Sequence, residues 1–114
     1  MLSTPSSRDA ALLRVVLCAC PAEAASAIAR TLVEEELAAC VNLVAGVHSV
    51  YWWDGKVAEG SETLLIVKTP PERYAALEAR LLALHPYEVP EILALDVAAG
   101  AERYLVWARE AVRC

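Results

Sequence analysis

Basic side chains are few: ten Lys and Arg stand against fifteen Asp and Glu, for a net charge of −5. Nucleic-acid binding rests on phosphate neutralisation by Lys and Arg, so this balance argues against a nucleic-acid partner and for cations. Histidine is rarer still, with only His48 and His85. Several motifs of common active sites are missing: Gly-x-Ser-x-Gly, a phosphate-cradling glycine-rich loop, His-Glu-x-x-His and Cys-x-x-Cys. Catalytic groups dispersed along a chain would escape such a search, so the absence is only a weak argument. The expectation is a protein that is not an enzyme.

Long apolar runs are also lacking. Leu37 to Trp53 carries no charge, but it is shorter than the roughly 20 residues of a spanning helix. Asn42, Gly46, His48 and Ser49 interrupt it. Residues 1–10 are polar and Ser-rich, with no apolar segment behind a basic start, so they read as a flexible tail rather than a secretory signal. The four cysteines, Cys18, Cys20, Cys40 and Cys114, could form two disulfides. Without a signal, and with ample core-forming residues, a reduced cytoplasmic protein without membrane association is expected.

What the chain does have is apolar mass. Of its 114 residues, 58% are hydrophobic. A single domain over residues 11–114 buries only about two-thirds of its unfolded surface, so part of this material must face a partner or solvent.

The pattern along the chain is β-α-β-β-α-β plus a C-terminal helix. Leu12 to Cys20 is a short Val- and Leu-rich run suited to a buried strand, and Pro21 suits the first turn of the helix that follows. In Ala22 to Leu37, Ala25, Ile28, Leu32 and Val33 are spaced for one buried face. Val41 to Tyr51 and Val57 to Thr69 flank Asp54-Gly55, a two-residue hairpin signal, with Gly46 and Gly60 as candidate bulges. Thr69, Pro70 and Glu72 resemble an N-cap, first-turn proline and capping-box partner for a helix that ends before Pro86. Tyr74, Leu77, Leu81 and Leu84 form its stripe. Glu91 to Val97 is the fourth strand. Ala101 to Val112 is the last helix, with Tyr104, Trp107, Ala108 and Ala111 toward the core.

This order defines an α+β fold, the ferredoxin-like split β-α-β sandwich with a long central hairpin. Each hairpin arm, at about 3.3 Å per residue, reaches roughly 40 Å. A chain of this size has a radius of gyration of about 13 Å, so the tip should overhang its own core. That tip carries Tyr51, Trp52 and Trp53, which are costly to leave in water. Packing against another copy of the chain resolves the conflict; a coiled hairpin folding back on its own helices is the alternative.

Three constellations could carry chemistry. Cys18 and Cys20, two apart on a strand, share a face and could offer thiolates to a soft metal, or serve as small buried hydrophobes. The segment His85-Pro86-Tyr87-Glu88-Val89-Pro90-Glu91 presents His85, Glu88 and Glu91 as possible cation ligands, or is a rigid solvated connector. Lys56, Glu59, Glu62 and Lys68 on one arm, with Trp53 as a further candidate contact, could bind a small anion or metabolite near a groove between subunits, or be ordinary strand polarity.

Four segments, LAACVN (Leu37 to Asn42), YWWDGKV (Tyr51 to Val57), LIVKT (Leu65 to Thr69) and HPYEVPE (His85 to Glu91), together resemble the CutA family of divalent-cation tolerance proteins. The resemblance spans about Leu12 to Arg109. It implies a cytoplasmic homotrimer of ferredoxin-like subunits whose hairpins pair between neighbours, without an established catalytic reaction. It also implies a likeness to the PII signalling trimers, which bind small effectors between subunits. A copper or zinc ion would then sit on Cys18 and His85, with Cys20, Glu88 and Glu91 in support, and no cofactor would be needed for the fold. Leu84 stands where copper-binding members carry a further histidine, and Arg80 where some carry a further cysteine. The rival expectations are a PII-like sensor with its ligand in the intersubunit cleft and a structural trimeric scaffold.

Overall fold

Arg14–Cys20 forms β1, the strand on which the sheet is centred. Its side chains alternate as a strand requires, so Val16, Cys18 and Cys20 are buried under the helices. The structure is a computed structural model and describes residues 12–112. The expected tail over residues 1–10, and Cys114, lie outside the described residues. The sheet order is β2-β3-β1-β4, with β2 at Cys40–Trp53, β3 at Lys56–Thr69 and β4 at Leu93–Asp96. Every neighbouring pair is antiparallel. With two helices between strands, this is the expected ferredoxin-like fold.

Helix α1 (Ala22–Glu34) buries Ala25, Ile28, Ala29 and Leu32. Val33, expected in that stripe, is instead exposed, because Ala29 and Leu32 complete the 3.6-residue face without it. Helix α2 (Tyr74–Leu84) buries Leu77 and Leu81, and Tyr74 and Leu84 pack against the same core. Its start differs from the expected capping box. Thr69 ends β3 and is fully buried, and its hydroxyl donates to the Leu37 carbonyl at 2.7 Å. A short 3-10 turn over Pro71–Arg73 then leads into α2, with no side-chain cap.

Helix α3 (Glu102–Ala111) buries Ala108 alone. Tyr104 and Trp107, expected toward the core, remain largely exposed in one chain. An ion pair fixes the helix instead: Arg109 donates to the Leu12 carbonyl and pairs with Glu72 at 2.6 Å.

The hairpin is the dominant feature. Asp54 and Gly55 both have positive φ (53° and 75°), the condition that their sequence signalled. Strand β1 pairs with β3 only from Thr63 to Thr69, so the outer half of the hairpin is a bare two-stranded ribbon. The chain is therefore 54 Å in its longest dimension, with a radius of gyration of 15.7 Å. Gly46, at φ 72°, marks a break in register between Val44 and Val47. Gly60 pairs with Ser49 without one, so it is not a bulge. The extra residue at Gly46 changes which side chains of β2 face which way. Before it, Asn42 and Val44 pair with Ile66 and Leu64; beyond it, Ser49, Tyr51 and Trp53 pair with Gly60, Ala58 and Lys56. Tyr51 and Trp53 thus join the face opposite the α1 and α2 helices.

Helix α1 ends through Glu36, a non-glycine residue in the left-handed region at φ 60°. The Leu37 N–H reaches back to the Leu32 carbonyl at 2.9 Å, and Leu37 and Ala38 are buried. That position favours glycine. Glu36→Gly is expected to raise unfolding stability by about 0.5–1 kcal/mol, read from urea denaturation at unchanged m-value.

Candidate functional site

The segment between α2 and β4 is held against β1 by His85. Its Nε2–H donates to the Ala19 carbonyl at 2.8 Å, and its Nδ1 accepts the Tyr87 N–H at 3.1 Å. A carbonyl only accepts and an amide only donates, so the ring proton sits on Nε2 and the lone pair on Nδ1. The register Leu17↔Leu93 continued two pairs further would set Ala19 opposite Glu91. The ladder stops before that point, so the Glu91 N–H does not pair with the Ala19 carbonyl. The imidazole therefore satisfies a carbonyl that β4 leaves unpaired. Strand β4 accordingly begins at Leu93 rather than at the expected Glu91, and it ends at Asp96 although the Val97 N–H still donates to the Leu13 carbonyl at 3.0 Å.

Beyond His85 the chain passes over the end of β1. Tyr87 lies against the imidazole with ring centroids 4.7 Å apart, and its hydroxyl donates to Glu62 Oε2 at 2.9 Å. Burial, followed by the hydrogen bond to Glu62 and that group's charge, pushes the Tyr87 phenol up to about 12. Between this segment and the hairpin lies a cleft of about 570 Å³, within the range of small-molecule sites. Tyr51, Trp53 and Tyr87 form its aromatic walls, and Glu62, Glu88 and Glu91 supply carboxylates.

The residues expected in a small-molecule groove divide accordingly. Trp53 and Glu62 line the cleft. Glu62 and Lys68 share a face of β3, but six residues separate them, about 20 Å along the strand. Lys68 donates to the Asn42 side-chain carbonyl, and Lys56 pairs with Trp53 at the hairpin end; neither lines the cleft of one chain. Of the residues expected at an interface, Trp52 is 75% exposed and Trp53 56%. Tyr51 also lines the cleft. Tyr87 was not singled out from sequence; its place between Pro86 and Pro90 was the available signal, since two prolines fix what an intervening side chain can reach.

Cys18 and His85 are the donors that the resemblance implies for a metal. Cys18 is fully buried, and burial, with smaller contributions from Cys20, Glu91 and Glu62, pushes its thiol up to about 12. Burial and Glu62 also raise the Cys20 thiol. Soft metals bind the thiolate, and both ring nitrogens of His85 are already engaged. Glu88 and Glu91 line the cleft instead. Among the described residues no three His, Cys, Asp or Glu side chains converge as a metal site. Arg80, where some members carry a cysteine, forks onto Glu35 at 2.8 and 2.9 Å and ties α2 to the end of α1. As folded, these residues do not fit a copper or zinc ion.

The fold places the chain in the class of ferredoxin-like proteins with PII-like relatives. The family model for the CutA1 divalent ion tolerance protein matches residues 14–111, and the chain belongs to that family. It is 54% identical over 97 residues to the divalent-cation tolerance protein CutA of Thermus thermophilus, covering 84% of this chain and 94% of that one. It is 45% identical over 91 residues to the chloroplastic Protein CutA 1 of Oryza sativa, covering 80% of this chain; the match spans only 51% of that relative's length. A solved Thermus thermophilus divalent cation tolerance protein (Cut A1) superposes with a TM-score of 0.85 at 51% identity, covering 89% of this chain and 99% of that one. The PII-like protein CutA from Nostoc superposes with a TM-score of 0.83 at 36% identity, covering 88% and 97%.

His85→Ala is expected to lower unfolding stability by about 1–3 kcal/mol, because it orphans the Ala19 carbonyl and the Tyr87 N–H. In calorimetric titration of the reduced protein, zinc and copper are expected to show no tight one-per-chain site. A tight ion lost in Cys18→Ser would show that these residues hold a metal after all.

Proposed function

We propose that this chain works as a homotrimeric, non-enzymatic protein that binds a small ligand in the cleft under its hairpin, in the manner of a PII-like sensor. The single observation that carries this reading is the cleft itself: a concavity of ligand size, walled by Tyr51, Trp53 and Tyr87 and floored by β1 at Ala19. Two further observations support self-assembly. The hairpin overhangs its own sheet, and Leu93 and Leu95 on the face opposite α1 and α2 are more than half exposed. A trimer would set each overhanging ribbon beside a neighbour and turn the cleft into a space between subunits. The Nostoc protein that this chain resembles is described as PII-like.

The non-enzymatic part of the reading rests on the state of the reactive groups. The thiols of Cys18 and Cys20 are buried and raised away from thiolate, and His85 is held at both nitrogens. A cytoplasmic setting agrees with Cys18, Cys20 and Cys40 being free thiols. Among the described residues no helix is long and apolar enough to cross a membrane. Some relatives are described as chloroplastic, so the compartment varies within the family.

A thermal-shift screen of cellular metabolites tests the reading. At least one compound is expected to raise the melting temperature of the wild type and to lose that effect in Trp53→Ala. A full screen without a hit, or hits unaffected by Trp53→Ala, would overturn the cleft as the functional site.

A further inference from the structure

The cleft combines carboxylates with aromatic walls. Its lining includes three carboxylates, those of Glu62, Glu88 and Glu91, and no lysine, arginine or histidine. Its walls are the aromatic rings of Tyr51, Trp53 and Tyr87. Glu62 accepts the Tyr87 hydroxyl, while the side chains of Glu88 and Glu91 form no hydrogen bond or ion pair with any described residue. An anionic effector would meet this charge without a counter-charge from the same chain.

A small inorganic cation is also a poor match. Such an ion needs several donors at one point, at about 2–2.6 Å. No three acidic, cysteine or histidine side chains converge in that way among the described residues. The negative charge is instead spread around a cavity of about 570 Å³. Spread charge between aromatic faces suits a cation carried on an apolar body, whose charged head gains from the carboxylates and whose body gains from the ring faces.

Resting on the ligand-cleft reading above, we infer that the ligand is a small organic cation, an amine or guanidinium carried on an apolar or aromatic body, held between Trp53, Tyr51 and Tyr87 with Glu62, Glu88 and Glu91 around its charge. The apolar body occupies the aromatic walls, and the charged head lies toward the carboxylates. The Tyr87–Glu62 hydrogen bond fixes one of those carboxylates and the ring beside it, so part of the site is formed before the ligand arrives.

Three probes of nearly equal size and different charge test this by calorimetry on the full-length protein: benzylamine, benzyl alcohol and benzoate. Benzylamine is expected to bind at least tenfold more tightly than either of the others, with affinity falling as salt is raised. The double variant Glu88→Gln/Glu91→Gln is expected to weaken benzylamine at least fivefold while leaving benzyl alcohol within twofold. Those two carboxylates hold no described partner, so their loss should leave the fold intact, which an unchanged melting temperature would verify. Binding of benzoate or benzyl alcohol as tight as benzylamine, or benzylamine binding indifferent to the double variant, overturns the organic-cation inference and leaves the cleft reading standing. Failure of all three probes to bind, together with a metabolite screen without a Trp53-dependent hit, overturns both.

Discussion

The constraint on which the rest depends is an unbalanced sheet. Helices α1 and α2 cover one face, so Val16, Cys18, Leu65 and Val67 are buried between layers. The other face carries Leu17 beside Leu93 and Val15 beside Leu95, with Leu64, Ile66 and Val44 continuing it across β3 and β2. Fully burying each such Leu or Val stabilises by about 1.5–3 kcal/mol, so an uncovered face forgoes a sum comparable to the stability of a small domain. The hairpin extends the same problem outward, because half its length has no third strand. A single chain of this fold thus leaves both strand edges and apolar surface without partners.

The cleft follows from the same geometry. The bulge at Gly46 turns Tyr51 and Trp53 onto the face opposite α1 and α2, where they meet the segment from His85 to Glu91. That segment is held in place by an imidazole satisfying the Ala19 carbonyl and by a phenol satisfying Glu62. Neither contact requires a metal. The residues that look most like metal ligands in isolation, Cys18 and His85, serve packing and loop placement, while Glu88 and Glu91, without a hydrogen-bond or ion-pair partner among the described residues, line the cleft.

Much of the fold was legible because its signals are local. Asp54-Gly55 specifies a tight turn by backbone conformation alone, and the Ala-rich stretch after Pro21 has one apolar stripe. The misassigned details are those decided by distant partners. Thr69 has the chemistry of an N-cap, but a carbonyl 32 residues away claims its hydroxyl. Trp107 and Tyr104 lie on an amphipathic stripe, yet an Arg109–Glu72 pair positions α3 so that only Ala108 is fully enclosed. For the site, even spacing correctly put Glu62 and Lys68 on one face, while the same six-residue spacing sets them about 20 Å apart along the strand, too far to share one small ligand. The pairing of Tyr87 with Glu62 joins positions 25 apart, and the role of His85 depends on where β4 stops pairing; neither is written in a local pattern.

In the proposed trimer, copies of the same chain cover the open face and the overhanging hairpin. Sedimentation equilibrium at micromolar concentration reads this. A mass of three chains is expected for the wild type, falling on simultaneous Tyr51→Ser, Trp52→Ser and Trp53→Ser substitution. A wild-type protein that sediments as a folded single chain across that range would contradict it.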